Sequence, residues 1–215
     1  MTLGIFGFDT DYDGLYAAIR AWMSDRSDFG TSGGTSLADD FILLAETDMN
    51  RELRVREMET SATSTPDSSG QFTLPTDYLE WRSVTSLDSP RRTLTLVDPN
   101  MAEHLYGYRE SDLPQNFTIE GSTVSILPVS TTDVLFKYYR TIPAIGWSNT
   151  TNWLLTKAPN VYLYGCCMHA AIYIRDPEDE AHFRGLFMAG IEQLRTDDKG
   201  QRWARYSVRS QGQKP

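Results

Sequence analysis

The run Cys166-Cys167-Met168-His169 holds the most reactive side chains of the sequence. Cys166 and His169 are three positions apart in a segment predicted to be helical, so both could face one side and bind a metal ion. A metal site also needs further ligands, and no second Cys or His pair occurs at a suitable spacing. Cys167 could act as a nucleophile, but a histidine two positions on points to another side of a helix. We interpret these side chains as buried and structural.

An acidic run near the start, Asp9-Thr10-Asp11-Tyr12-Asp13-Gly14, begins like a calcium-binding loop. Such a loop closes its ligand set with a glutamate at its twelfth position, which is Arg20 here. We interpret the acids as the first turn of a helix, where negative charge complements the dipole. The sequence contains neither a Gly-rich phosphate loop nor a G-x-S-x-G nucleophile motif. The motifs therefore predict no enzyme, no cofactor and no metal.

Composition and charge exclude further classes of protein. The 215 residues are 40% hydrophobic and 23% charged, which is typical of a folded globular protein. A net charge of -9 argues against general binding to nucleic acid backbones, which needs a basic surface. The sequence has no apolar stretch long enough to cross a membrane and no secretory signal at its start. Two adjacent cysteines form no disulfide framework, which suits a reducing cytoplasm.

Apolar periodicity predicts two helices at each end of the chain, over 12–26, 37–54, 159–174 and 176–199. Short alternating segments between them predict strands at 58–65, 71–74, 78–87, 93–97, 117–119, 124–127 and 134–141, with a short helix at 99–106. The fold class is therefore α+β. We expect the four main helices to form a bundle, with an antiparallel β-sandwich or barrel-like region inserted into it.

This order divides the chain into four parts. Residues 1–56 form the N-terminal helices of the bundle, 57–147 the inserted β-rich domain, and 148–199 the C-terminal helices. Gly200 is predicted to end or loosen the last helix, so 200–215 becomes a basic extended tail. From Lys199 onward the chain carries five basic residues and no acidic one, an asymmetry typical of an interaction segment.

Five runs occur together that resemble a known family. They are LADDFILLAETDMNRELRVREMETSATST (37–65), FTLPTDYLEWRSV (72–84), FTIEGSTVSILP (117–128), VLFKYYRTIPAI (134–145) and NTTNWLLTKAPNVYLYGCCMHAAIYIRD (149–176). In this order they resemble the head–tail adaptors of tailed bacteriophages, the connector family related to podophage tail tubular protein A. The resemblance covers roughly residues 12 to 200.

The resemblance implies a structural, non-enzymatic protein with no cofactor. Members form rings, typically of twelve copies, that dock beneath the portal protein, extend the DNA channel and offer a surface to the tail or nozzle protein. The expected place is the virion neck, after assembly in the host cytoplasm, with double-stranded DNA passing through without specific binding and with no membrane partner. A negative channel wall would let DNA slide without sticking.

The resemblance also implies two sets of contact residues. In related adaptors the C-terminal segment docks on the portal, and the matching portal-binding residues here are Arg202, Trp203, Arg205, Tyr206, Arg209 and Lys214. The candidates for subunit contacts in the ring are Arg20, Arg26, Glu46, Arg51, Arg54 and Arg56, whose charges helix pairs within the chain explain equally well. The loop 28–36 and the turn 66–70 are further candidates for the tail or lumen face.

Two other function classes remain open at this point. A carbohydrate-binding or host-recognition module of a virion would use aromatic side chains such as Trp81, Trp147 and Trp153. An enzyme would use Cys167 as its nucleophile. A glycan array separates the first alternative from the adaptor, and lack of reaction of the folded chain with a thiol probe removes the second.

Overall fold

A computed structural model describes residues 9–24, 27–29, 36–106 and 112–210, with only the backbone described from 201 to 210. Arg26, Lys214 and most of the loop predicted at 28–36 lie outside this range. The chain divides into two compact units. One combines Met1–Glu57 with Ile142–Pro215 and is helical, and the other, Met58–Thr141, is β-rich. The α+β class is confirmed, and the second unit ends at Thr141 rather than at residue 147.

The helical unit contains α1 (Tyr12–Trp22), α2 (Leu37–Glu52), α4 (Trp153–Lys157), α5 (Pro159–Ile174) and α6 (Pro177–Ser210). Helix α5 is the central element, and α1, α2, α4 and α6 all pack against it. The helix is apolar on most faces, and ten of its 16 residues are buried because it is covered from several directions. The bundle geometry of the four main helices stays a prediction.

Nearby side chains stabilise the first turns of the main helices. Asp11 caps α1 by accepting from the Gly14 amide at 2.8 Å. Ser36 and Asp39 form a reciprocal capping box at α2, as their spacing predicts. Pro159 lies in the first turn of α5, where its missing N–H costs nothing. Asp176 accepts from two amides of the first turn of α6.

The helix ends differ from the predictions. Helix α1 ends at Trp22 instead of residue 26, and α6 continues through Gly200 to Ser210. Glycine inside a helix costs only about 1 kcal/mol relative to alanine, which is too little to stop a helix that good helix formers continue on both sides. The basic segment is therefore helical through Ser210, and the prediction of an extended tail from residue 200 is wrong for that stretch.

In its described residues, 58–106 and 112–141, the β-rich unit contains seven strands and one short helix. The strands are β1 (Glu59–Ser64), β2 (Gln71–Thr73), β3 (Tyr78–Ser86), β4 (Arg92–Leu96), β5 (Asn116–Glu120), β6 (Thr123–Leu127) and β7 (Val134–Arg140), and α3 is Pro99–Tyr106. They form one sheet in the order β1-β7-β3-β4-β5-β6-β2. Each strand lies where the sequence places it to within a few residues.

The sheet curls around its own core. Strand β2 is at one edge and β7 is next to the other edge, yet the rings of Phe72 and Phe136 meet edge to face at 5.9 Å. Such a contact requires a strongly curved sheet, nearer to the barrel-like alternative than to two packed layers. The predicted all-antiparallel pairing is wrong at one place, since β4 and β5 run parallel. The chain crosses between them through α3, which allows the parallel return.

Candidate functional site

The basic C-terminal segment follows two residues of α6 that bind the end of α2 and the residues just after it. Arg195 Nη2 donates to the Glu52 carboxylate at 2.6 Å, and its Nε donates to the Glu52 carbonyl at 3.1 Å. Arg56 Nε donates to the buried Asp198 carboxylate at 3.0 Å. These bonds hold α6 beside the end of α2 as far as residue 198. The helix then continues for about 18 Å to Ser210, at about 1.5 Å per residue.

Helical backbone changes how the predicted portal-binding residues are arranged. On an α-helix, positions 202, 205, 206 and 209 follow the i, i+3, i+4, i+7 spacing and share one face. Three of these positions are arginine and one is tyrosine. Trp203 lies about 100° around the helix from position 202, and Lys214 lies outside the described residues.

The predicted subunit-contact arginines have different surroundings. Arg51 is the most open, with a side chain 74% exposed and Asp48 at 3.6 Å. Arg54 donates to the carbonyls of Asn50 and Leu53 at the end of α2, and Arg56 holds Asp198. Arg20 is half-buried in the last turn of α1. Of this group, Arg51 retains the most open surface for a neighbouring subunit.

Glu46 is buried inside the helical unit, with only 4% of its surface exposed. Its Oε1 accepts from the Ile145 amide at 2.8 Å and from the Tyr162 hydroxyl at 3.2 Å. Burial raises the pKa of this carboxyl to about 7, and the two hydrogen bonds oppose that shift only in part. The position argues against a subunit contact and for an internal role.

A chain of buried polar groups extends from Glu46. Asn152 Nδ2 donates to the Tyr162 hydroxyl at 2.5 Å and to the Pro143 carbonyl at 2.7 Å. Asn152 Oδ1 caps α4 by accepting from two amides. Burial and the nearby Glu46 carboxylate raise the pKa of the Tyr162 phenol. The network joins α2, α4 and α5 to the segment that re-enters the helical unit after Thr141.

The side chains of Cys166 and Cys167 lie in the core, and His169 beside them is half-buried. Cys166 and Cys167 are both fully buried. Burial raises the pKa of the Cys167 thiol to about 12 and that of Cys166 well above its usual range, which disfavours the reactive thiolate. His169 Nε2 lies 3.0 Å from Asp48 Oδ2. Among the described residues, no cluster of three or more His, Cys, Asp and Glu side chains is placed to hold a metal ion.

The three tryptophans proposed for carbohydrate binding are not equivalent. Trp81 packs edge to face on Phe117 at 5.4 Å, at the border of the β-rich core. Trp153 is half-buried, and its indole nitrogen is enclosed without a hydrogen-bond partner. Trp147 alone of the three is open, with 68% of its surface exposed. Sugar-binding platforms are open aromatic faces, so this set does not form one.

Sequence reasoning missed the features that organise these surfaces. The sequence predicts a helix through Arg195 and Asp198 but not their partners Glu52 and Arg56, which lie more than a hundred positions earlier in the chain. Nothing in the sequence separated Glu46 from the exposed charges of α2. Gly146 and Asn149, which exchange backbone hydrogen bonds around Trp147, favour tight turns and are the one sequence signal for that turn.

Comparison with known proteins gives one clear match. The family model described as SU10 adaptor protein matches residues 10–211. No curated protein matched the chain. Within the described residues, no helix is long and apolar enough to cross a lipid bilayer.

Proposed function

The chain belongs to the SU10 adaptor protein family, and from that premise we propose that it is the head–tail adaptor of a tailed phage. The observation that carries this proposal is a family match that spans both structural units. Phage adaptors are structural proteins of the virion. The proposed role is a ring, of twelve copies as in adaptors related to podophage tail tubular protein A, in the neck between capsid and tail.

The proposed ring docks on the portal protein through the end of α6. Two features support this proposal: α6 is fixed to the rest of the helical unit near residue 198, and its C-terminal end is basic. Arg195 and Asp198 hold the helix to α2, while Arg202, Arg205 and Arg209 fall on one side of the helical extension. Arginine, tyrosine and tryptophan are the residues that dominate binding at protein interfaces. We expect an acidic cleft on the portal as the complementary surface.

The proposed channel and tail contacts rest on charge. The chain is acidic overall, with a net charge of -9, while the segment after position 198 carries five basic residues and no acidic one. A ring of acidic subunits repels DNA phosphates, so the genome passes without specific binding. We propose that the tail or nozzle protein binds a face of the ring away from α6.

A truncation tests portal docking. Removal of residues 200–215 should weaken binding to purified portal at least tenfold, because it deletes the anchoring side chains of the basic end. Binding is measured by native mass spectrometry of the portal mixed with the chain. Circular dichroism should lose only the helical signal of the deleted residues, and the thermal unfolding midpoint should change little, since the anchors at Arg195 and Asp198 remain.

A triple substitution tests whether portal binding needs the arginine side chains themselves or only the length of the C-terminal segment. The triple variant Arg202→Gln, Arg205→Gln, Arg209→Gln should behave like the truncation. Arg184→Gln, on the same helix and paired with Glu180 one turn earlier, should bind portal normally. Full portal binding by the truncated chain would refute docking through α6, and no portal binding by the intact chain would refute the adaptor role itself.

A further inference from the structure

A tight hairpin lies on the helical unit where the chain returns from the β-rich unit. Gly146 and Asn149 exchange two backbone hydrogen bonds, of 3.0 and 3.1 Å, so Trp147 and Ser148 form the tip. The Asn149 side chain closes the base by donating to the Ala144 carbonyl at 2.7 Å. We call residues 142–151 the return hairpin.

The return hairpin is held firmly from below. The amides of Ile142 and Ile145 donate to Asn50 and Glu46 of α2, each at 2.8 Å. Both isoleucine side chains are buried. The Thr150 carbonyl accepts from the first amide of α1 at 2.7 Å, and the Thr151 hydroxyl lies 3.1 Å from the Thr10 carbonyl. The tip is therefore preorganised, and little conformational entropy is lost when it is bound.

The outer surface of the return hairpin combines an open aromatic ring with an absence of charge. Trp147 is 68% exposed, more than any other large hydrophobic side chain measured among the described residues. Ser148, Asn149 and Thr150 beside it are exposed as well. From Thr141 to Thr156 the sequence has no charged residue. Depletion of charge around an exposed tryptophan is the composition of an interface core.

We propose that the return hairpin, with Trp147 as its anchor, is a contact surface that binds a second copy of this chain. The proposal rests on the ring of the proposed function and names a surface through which its subunits meet. It is a protein contact and not a sugar site, because the aromatic ring stands alone at a turn without a second open ring beside it among Trp81 and Trp153.

Electrostatics favours a second copy as the occupant. Each copy carries a net charge of -9, so two copies repel wherever their charged surfaces approach. A neutral, hydrogen-bonding patch with one large apolar anchor is where two acidic copies can meet at the lowest electrostatic cost. A closed ring uses heterologous contacts, so Trp147 of one copy meets a different surface of the next.

Substitution of the anchor tests the contact. Trp147→Ala should weaken association between copies at least tenfold, because truncation of a central tryptophan removes much of the binding energy of an interface. Association is measured as copies per particle, by native mass spectrometry alone and on the portal. Leu43→Ala is the matched control, since Leu43 is also an open apolar residue of the helical unit, at 60% exposure, and should associate as the original chain does.

The outcomes distinguish this contact from portal docking. If the intact chain fills the portal as a ring and Trp147→Ala binds it only as isolated copies, the proposal holds. Normal ring filling by Trp147→Ala overturns the proposal and leaves the adaptor role standing. If Trp147→Ala does not bind the portal even as a single copy, the proposal is also overturned, because Trp147 would then face the portal. An intact chain that never associates, alone or on the portal, overturns both.

A labelling experiment reads the same surface without removing the tryptophan. Ser148→Cys places a thiol at the tip, while the native Cys166 and Cys167 are fully buried. Maleimide should modify this thiol rapidly in the free chain and at least tenfold more slowly in the ring. Equal rates in the two states would overturn the proposal.

Discussion

At the scale of single residues, the buried carboxyl of Glu46 is the most consequential side chain. It supports the segment that carries the return hairpin, through the Ile145 amide and the Tyr162 hydroxyl. Because burial disfavours its charged form, the pKa of Glu46 is raised to about 7 from an ordinary 4.5. The residue therefore makes the stability of the helical unit depend on pH near neutrality.

Glu46→Gln should remove that dependence. A raised pKa means that the stabilising contribution of the proton is complete below pH 4.5 and is lost as the pH rises through about 7. Between these values the original chain should lose up to about 3 kcal/mol of unfolding free energy relative to the variant. Denaturant unfolding at several pH values measures this, and parallel curves for the two proteins would contradict it. Glutamine keeps the Oε1 acceptor, so the hydrogen bonds from Ile145 and Tyr162 are retained.

At the scale of elements, the close contact of α5 with α6 positions the C-terminal end. Two glycines allow this approach. A Cβ atom at Gly190 of α6 would lie 2.9 Å from Val161 Cγ2, and one at Gly165 of α5 would lie 3.1 Å from Ala45 and Phe187 atoms. The side chains of Val161 and Phe187 are buried and have little room to move. The spacing of the helices is thus set by small residues at their crossing.

Gly190→Ala should lower the unfolding free energy by about 1–3 kcal/mol, because the new methyl group forces α5 and α6 apart. Gly185→Ala is the matched control on the same helix, where the added Cβ meets no atom within 4 Å. That substitution should stabilise the chain by about 0.5–1 kcal/mol through helix propensity. Thermal unfolding of both variants decides the matter; destabilisation of equal size in both would show that crowding at the crossing is not the cause.

At the scale of the whole molecule, two kinds of surface are separated along the chain. The end of α6 is basic, whereas the return hairpin is uncharged and aromatic. Contacts between charged groups weaken as salt screens them, while burial of apolar surface does not. Portal docking and ring association should therefore respond differently to ionic strength.

Raising the salt concentration from about 0.1 M to about 1 M shortens the Debye length from about 10 Å to about 3 Å. Binding of the chain to portal should weaken at least tenfold over this range, whereas association between copies should not weaken, because salt also screens the repulsion between the acidic copies. Both equilibria are measured at several salt concentrations, by light scattering or by native mass spectrometry in a volatile salt. The slope of each binding constant against salt concentration is then compared. If ring association weakened steeply as the salt concentration rises, charged residues such as Arg51, and not Trp147, would dominate the subunit contact.

The amino-acid sequence by itself determined the local elements of this protein. Apolar periodicity and caps such as Asp11, Ser36 and Asp176 located the helices, because these signals act over a few residues. The strands were found for the same reason. Helix α5 is apolar on most faces, which by itself favours a central position, since such a helix must be covered from several directions.

The tertiary structure decided what depends on residues far apart in the chain. Glu46 differs from its exposed neighbours only because Ile145 and Tyr162 pack over it. Helix α6 is fixed at its base because Asp198 and Arg195 are bound to residues more than a hundred positions earlier. Strand order and the exposure of Trp147 likewise follow from long-range packing, which no short window of sequence encodes.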